Sequence, residues 1–160
     1  MRTFSVICLV MIIFMGLSCQ QQPAMLTEAQ KLEIEKQITE RQTALIKVFD
    51  EMNVQTFSQF LSQSQFAFIN RLGWHLNKQA LLDSCRAIWP KRQSQHLESK
   101  TIKVYPLTSE LAIADNIVNL TVTGKDAVIA KYQVSWTVTW QKEQVEWYII
   151  HYHESWKEVK

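Results

Sequence analysis

Hydrophobic residues recur along this chain with two periods, and the change from one to the other divides it. From Leu26 to Met52 the apolar positions Ile34, Ile38, Leu45, Phe49 and Met52 fall at helical spacing between charges and glutamines, which predicts one long amphipathic helix. Thr27 and Gln30 stand at capping-box spacing, where each side chain satisfies the other's backbone amide. Asn53 is placed to cap a short second helix carrying Phe57, Phe60 and Leu61. "QFAFINRLGW" alternates as a strand broken at Gly73. "NKQALLDSCRAIWP" reads as a helix capped by Asn77 and stopped by Pro90, with Leu81, Leu82, Cys85, Ile88 and Trp89 on one stripe.

Beyond Ser99 a period of two takes over. The stretch from Ser99 to Tyr105 and the runs "ADNIVNLTVT", "VIAKYQVSWTVTW" and "EWYIIHYHESW" are rich in β-branched and aromatic residues, with short breaks at "PLTSE", "GKDA" and "QKEQ". Breaks this short make consecutive strands antiparallel neighbours, because a parallel return needs a crossover of about a dozen residues. Helices followed by a meander predict an α+β domain, the helices packed on one face of a curved sheet. "KRQSQHLESK" at 91–100 mixes both signs of charge and reads as a solvated loop.

The first residues change the picture. "MRTFSVICLVMIIFMGLSC" has one cation, Arg2, then an uncharged apolar run from Phe4 to Met15 and small residues before Cys19. That is the pattern of a secretory leader, shorter than the roughly 20 apolar residues of a membrane span. "GLSC" resembles a bacterial lipobox, with Gly16 where leucine is usual, so Cys19 is expected to carry lipid once residues 1–18 are removed. Residues 19–26, including "QQQPA", then form a tether and residues 27–160 the domain. The address this implies is the bacterial cell envelope, on a periplasmic or outer membrane surface, with membrane lipid as partner through acylated Cys19.

Charge excludes one class of partner. Seventeen Lys and Arg against fifteen Asp and Glu leave a net charge of +2, too little to draw nucleic acid by bulk electrostatics. Of three cysteines, Cys8 lies in the leader and Cys19 is the lipid site, so Cys85 has no disulfide partner and is read as buried filler.

The order of long helix, short helix, strand, capped helix and meander resembles the nuclear transport factor 2-like superfamily, which includes the SnoaL-like proteins and ketosteroid isomerases. Trp147, Ile149, His151, His153 and Ser155, as W-x-I-x-H-x-H-x-S, resemble the last strand of many SnoaL-like domains and of the calcium/calmodulin-dependent kinase II association domain. Trp140, seven residues before Trp147, and "IKVYPLTSELAIAD" match the latter as well. The resemblance spans roughly residues 28 to 156. It implies a cone in which sheet and helices enclose a pocket, with homodimers formed through the sheet.

That resemblance places Asn70 where ketosteroid isomerases carry the proton-shuttling aspartate and Ile46 near their oxyanion-donating tyrosine, which argues against steroid isomerase chemistry. Val138 and Glu154 fall where the kinase domain has carboxylate-binding arginines, implying a pocket for a small apolar ligand. Alternation from an inward Val138 turns Tyr132, Val134, Trp136 and Trp140 inward too. The expected pocket residues are Phe68, Asn70, Trp74, Tyr132, Trp136, Val138, Trp140, Tyr152 and Glu154, with Trp74 and His75 near its mouth.

Strict alternation puts His151 and His153 on one face with Trp147 and Ile149, opposite Tyr148, Ile150, Tyr152 and Glu154. Two histidines hold zinc or copper at a catalytic site only with a third donor, and His75 and His96 lie in loop or helix-edge stretches, so no metal and no cofactor is expected. The leading expectation is an envelope lipoprotein whose cone domain is a ligand-binding or assembly module. The rivals are a small isomerase, dehydratase or hydrolase using Glu154, Tyr152 or the His151/His153 pair, and a dimer scaffold contacting through Gln133, Ser135 and Thr137.

Overall fold

The computed structural model describes residues 25–159; Cys8 and Cys19, and with them the expected leader and lipid site, lie outside the described residues. The chain forms helix α1 (Glu28–Asp50), helix α2 (Val54–Ser58), strands β1 (Ala67–Ile69) and β2 (His75–Leu76), helix α3 (Lys78–Ile88) and a 3-10 turn (Trp89–Lys91). Strands β3 (Arg92–Thr108), β4 (Leu111–Gly124), β5 (Ile129–Glu143) and β6 (Glu146–Glu158) follow. Among the described residues no helix is long and apolar enough to cross a membrane.

Each helix starts where its cap predicts. Thr27 Oγ1 accepts from Gln30 N at 3.3 Å while Gln30 Oε1 accepts from Thr27 N at 2.9 Å, a reciprocal cap that contributes about 1 kcal/mol. Asn53 Oδ1 accepts from Thr56 N and Asn77 Oδ1 from Ala80 N, at 3.0 and 2.9 Å. Pro90 follows α3 inside the 3-10 turn, where its missing N–H costs no helical bond.

The six strands make one sheet in the order β2-β1-β6-β5-β4-β3. β3 to β6 form the antiparallel meander. β1 joins parallel to β6, Phe68 opposite Tyr152, and β2 closes the edge. Three helices lie on one face, and α1 packs chiefly on β3. The shared core runs from Ile38 and Leu45 on α1 through Phe57 and Leu61 to Val134, Val138 and Trp140 on β5. The α+β architecture expected from the two periods is the one observed.

Two local expectations are corrected. The stretch expected as a solvated loop, 91–100, is mostly the start of β3: Gln95 and Leu97 are buried there. Gln95 bonds the Phe49 carbonyl, and Leu97 N donates to Asp50 Oδ1 at 2.6 Å, so both are tied to the end of α1. A polar inward residue such as Gln95 hides the alternation that marks a strand.

The second correction concerns β6. Thr139 pairs with His151 but Trp140 pairs with Ile149, so Ile150 is an extra residue in the ladder. A bulge of this kind shifts the alternation by one. Trp147 and Ile149 therefore share the inner face with Tyr152, not with the histidines. His151 and His153 lie on the outer face, opposite Thr139 and Thr137.

Candidate functional site

At one end of the cone the helices do not fill the space inside the sheet. A cavity of about 400 Å³ remains, walled by β3, β4, β5 and β6, by Phe68 to Leu72 of β1 and its turn, by α3, and by Phe49 at the end of α1. Most of the wall is apolar, with Leu81, Leu97, Leu120, Val122 and Val134 between the rings. Phe68 stacks on Tyr152 at 5.0 Å between centroids, and Trp136 meets Tyr152 edge-on at 6.0 Å. Phe49 touches Trp136, Phe57 and Trp89 and closes the floor. A hollow of this size and lining suits one small, largely flat molecule.

Six of the nine expected pocket residues line the hollow: Phe68, Asn70, Tyr132, Trp136, Tyr152 and Glu154. Val138 and Trp140 do point inward and have no exposure, but they belong to the packed core beyond the cavity floor. Trp74 is 64% exposed and stands outside it. Its neighbours Arg71 and Leu72 take that part of the rim, because Asn70 turns the chain sharply there. Asn70 Oδ1 accepts from Leu72 N at 2.9 Å and from Trp74 N at 3.1 Å. The amide at the position that resembles the isomerase aspartate thus holds a turn, with Gly73 in the left-handed region (φ 77°) that such turns require.

Glu154 is the carboxyl of the site. Tyr152 Oη donates to Glu154 Oε2 at 3.2 Å. Burial pushes the Glu154 carboxyl above the ordinary carboxylate range; the indole of Trp156, the Tyr152 hydroxyl and the Arg71 side chain and backbone pull it partly back. Tyr152 itself is held well above the usual phenol value by burial and then by Glu154. A carboxyl raised in this way holds its proton to a higher pH than an exposed glutamate does.

Several lining residues were not anticipated as site residues. Arg92, Gln95 and Cys85 face the cavity from β3 and α3, and Arg71 lies over the Trp156 ring at 5.0 Å. Cys85 was singled out from its stripe as filler, and its thiol is pushed up to about 12 by burial, then by Glu154, so it is no nucleophile. Arg92 carried a sequence signal only in retrospect: it opens a strand, directly after the turn that Pro90 imposes.

The histidines lie apart from this chemistry. His151 has its pKa lowered by burial first and then by His153 and His75, all three on strands at the sheet's β6–β1–β2 side. His96 is exposed on β3 and faces Asp50 at 3.3 Å. Among the described residues no group of three or more His, Cys, Asp or Glu is arranged to hold a metal ion.

Residues 38–157 match the family model of the SnoaL-like domain. The chain belongs to the SnoaL-like domain family. No curated protein matches it by sequence. Its fold is shared with a candidate scytalone dehydratase from Novosphingobium aromaticivorans, at 9% identity and TM-score 0.74 over 84% of this chain and 89% of that one. A hexachlorocyclohexane dehydrochlorinase from Novosphingobium barchaimii matches at 7% identity and TM-score 0.69, over 83% and 94% of the two chains. A candidate dehydratase of the nuclear transport factor 2-like family from Streptomyces avermitilis matches at 16% and 0.66, over 75% and 93%. Identities this low establish a common fold for the SnoaL-like domain and leave its chemistry to its own residues.

Proposed function

We propose that this SnoaL-like domain binds one small, mainly apolar molecule in the cone, and that the protein is held at a bacterial envelope surface by lipid on Cys19. The binding half of this proposal rests on one observation: the ring-lined hollow of about 400 Å³ that the helices leave open. N-phenyl-1-naphthylamine, a neutral two-ring fluorophore, should brighten on adding the purified protein. Ala130→Trp, which fills the hollow from β5, should abolish the signal without lowering the melting temperature. A signal that survives Ala130→Trp would place the probe elsewhere and end the proposal.

The anchoring half is supported by the leader pattern and the "GLSC" junction before a polar tether. Cys19→Ala should move the protein from the membrane to the soluble fraction; unchanged retention removes the anchor. We also propose that two copies meet through the outer sheet face, where Gln133 and Ser135 are exposed and Thr137 is half-buried. A monomer by sedimentation at micromolar concentration would dismiss that.

A second reading, proton transfer by Glu154, is favoured by the Tyr152–Glu154 contact inside an apolar wall. A carboxylate there can remove a proton from carbon beside a carbonyl or a leaving group, the step shared by isomerisation and elimination. The neighbouring dehydratase and dehydrochlorinase names belong to the same reaction class. The two-ring ketone 2-tetralone offers such protons. Their exchange in D2O should be accelerated by the protein and return to the buffer rate with Glu154→Gln; equal rates for both proteins rule the step out.

A further inference from the structure

The hydrogen-bonding capacity of the cavity wall is unevenly used. The side-chain amide oxygens that line it are occupied: Asn70 Oδ1 takes the two turn amides, and Gln95 Oε1 takes Arg92. Gln95 Nε2 is committed to the Phe49 carbonyl. Donors, by contrast, are left over. Arg92 has no carboxylate within salt-bridge distance among the described residues, and its bond to Gln95 uses one of the five N–H groups a guanidinium carries. Among the described residues the buried indole N–H groups of Trp136 and Trp156 have no hydrogen-bond partner; that of Trp156 lies near Glu154 without closing a bond of good geometry. Arg71 adds a second cation at the rim.

A half-buried arginine without a counter-ion is costly unless something supplies one. Its planar fork matches a carboxylate in two parallel bonds. The rings on either side suit a flat apolar body. We infer that the cone takes a small aromatic or cyclic carboxylic acid, its rings between Phe68 and Trp136 and its carboxylate on Arg92. This inference rests on the pocket reading above and adds the charge of the ligand. It also departs from the neutral ligand implied by Val138 and Glu154 at the kinase arginine positions, because Arg92 and Arg71 reach the hollow from other segments.

Glu154 does not forbid an anion. Tyr152 Oη already donates to its Oε2 at 3.2 Å, Arg71 lies beside it, and burial raises its pKa, all of which soften the repulsion a bound carboxylate would meet.

The test is a pair built on one naphthalene ring system, the anionic 2-naphthoate and the uncharged 2-naphthalenemethanol, titrated calorimetrically into the purified protein at pH 6.5. Naphthoate should bind at least about ten-fold tighter. Arg92→Gln should bring the two affinities to within about two-fold of each other while leaving the alcohol's own affinity nearly unchanged. Arg71→Gln, at the exposed rim and outside the core, should reduce the preference in part and serves if Arg92→Gln does not fold. A preference that survives both substitutions, or an alcohol bound as well as the acid, overturns the inference and leaves the pocket standing. Failure of both compounds together with N-phenyl-1-naphthylamine overturns the pocket itself.

Discussion

Trp136 and Trp140 sit four residues apart on the same face of β5, and both are almost wholly buried, yet they live in different surroundings. Trp140 belongs to a packed end, where Ile38 and Leu45 of α1, Leu61 and Ile149 have no appreciable exposure. Trp136 stands at the hollow end, roofed by the eleven residues of α3 and a short hairpin. Near the packed end α1 is also pinned by polar bonds: Gln37 Oε1 accepts from Trp147 Nε1 at 2.8 Å and Arg41 donates to the Trp147 carbonyl at 3.0 Å. Inward orientation is set by the strand, whereas the presence of a site is set by how much the helices leave uncovered. The same alternation yields core at one end and binding wall at the other.

The sharpest way to break that distinction is truncation of the two tryptophans. Trp140→Ala should cost about 3–5 kcal/mol, since it empties a close-packed site with little room to relax. Trp136→Ala removes a ring that already borders empty space and should cost at least about 1 kcal/mol less. Urea unfolding measures both; equal losses would mean the hollow is closed in solution. Cys85 gives a chemical counterpart. Its thiol, pushed up to about 12 from an ordinary 9.0, should hold about 10³-fold less thiolate at pH 8 than in the unfolded chain. Iodoacetamide should therefore label it in urea and scarcely at all in buffer. Fast labelling of the native protein would show that the cavity roof opens.

These effects also mark what was legible in the sequence. The capping residues Thr27, Asn53 and Asn77, the helical stripe and the four long strands announced the fold, because each depends on chemistry within a few neighbours. The site was only partly legible. Six pocket residues followed from alternation and resemblance, but Val138 and Trp140 could not be separated from Trp136 without knowing where the helices end. The bulge at Ile150 has no residue type to announce it, since an isoleucine suits a regular strand equally well; one extra residue put Trp147 and Ile149 on the inner face in place of Tyr148. Arg92 was missed because a strand whose first inward residues are Arg92 and Gln95 looks solvated. Its polarity is spent inside the cone.

The hollow end should also respond to pH where the packed end does not. Glu154 has its folded pKa raised above the ordinary 4.5, by burial first, against the opposing pull of Trp156, Tyr152 and Arg71; Arg92 and Cys85 also feel its charge. For a group shifted upward, the stability it contributes is fully present below the unfolded value and is lost as pH rises through the folded one. The wild-type protein should therefore lose stability relative to Glu154→Gln from about pH 4.5 upward, and the gap should level off once the folded carboxyl has ionised. Chemical denaturation of both proteins between pH 4 and pH 8 reads this directly. A constant difference, or a wild type that gains stability relative to Glu154→Gln with rising pH, would mean the carboxyl is solvated and the cavity wet.

The smallest effect separates the two ends most cleanly, because it adds a single methylene at two equivalent positions. Val134 and Val138 both lie on the inner face of β5 with no exposure, but Val134 borders the cavity and Val138 does not. Val138→Ile forces extra volume into close packing and should cost about 1 kcal/mol or more. Val134→Ile directs the same group into open space, where burying it against the rings should stabilise by up to about 0.8 kcal/mol. The sign, rather than the size, is the result that matters. If both substitutions destabilise, the space beside Val134 is already filled by side chains shifting inward. The pocket would then exist only when something else holds it open.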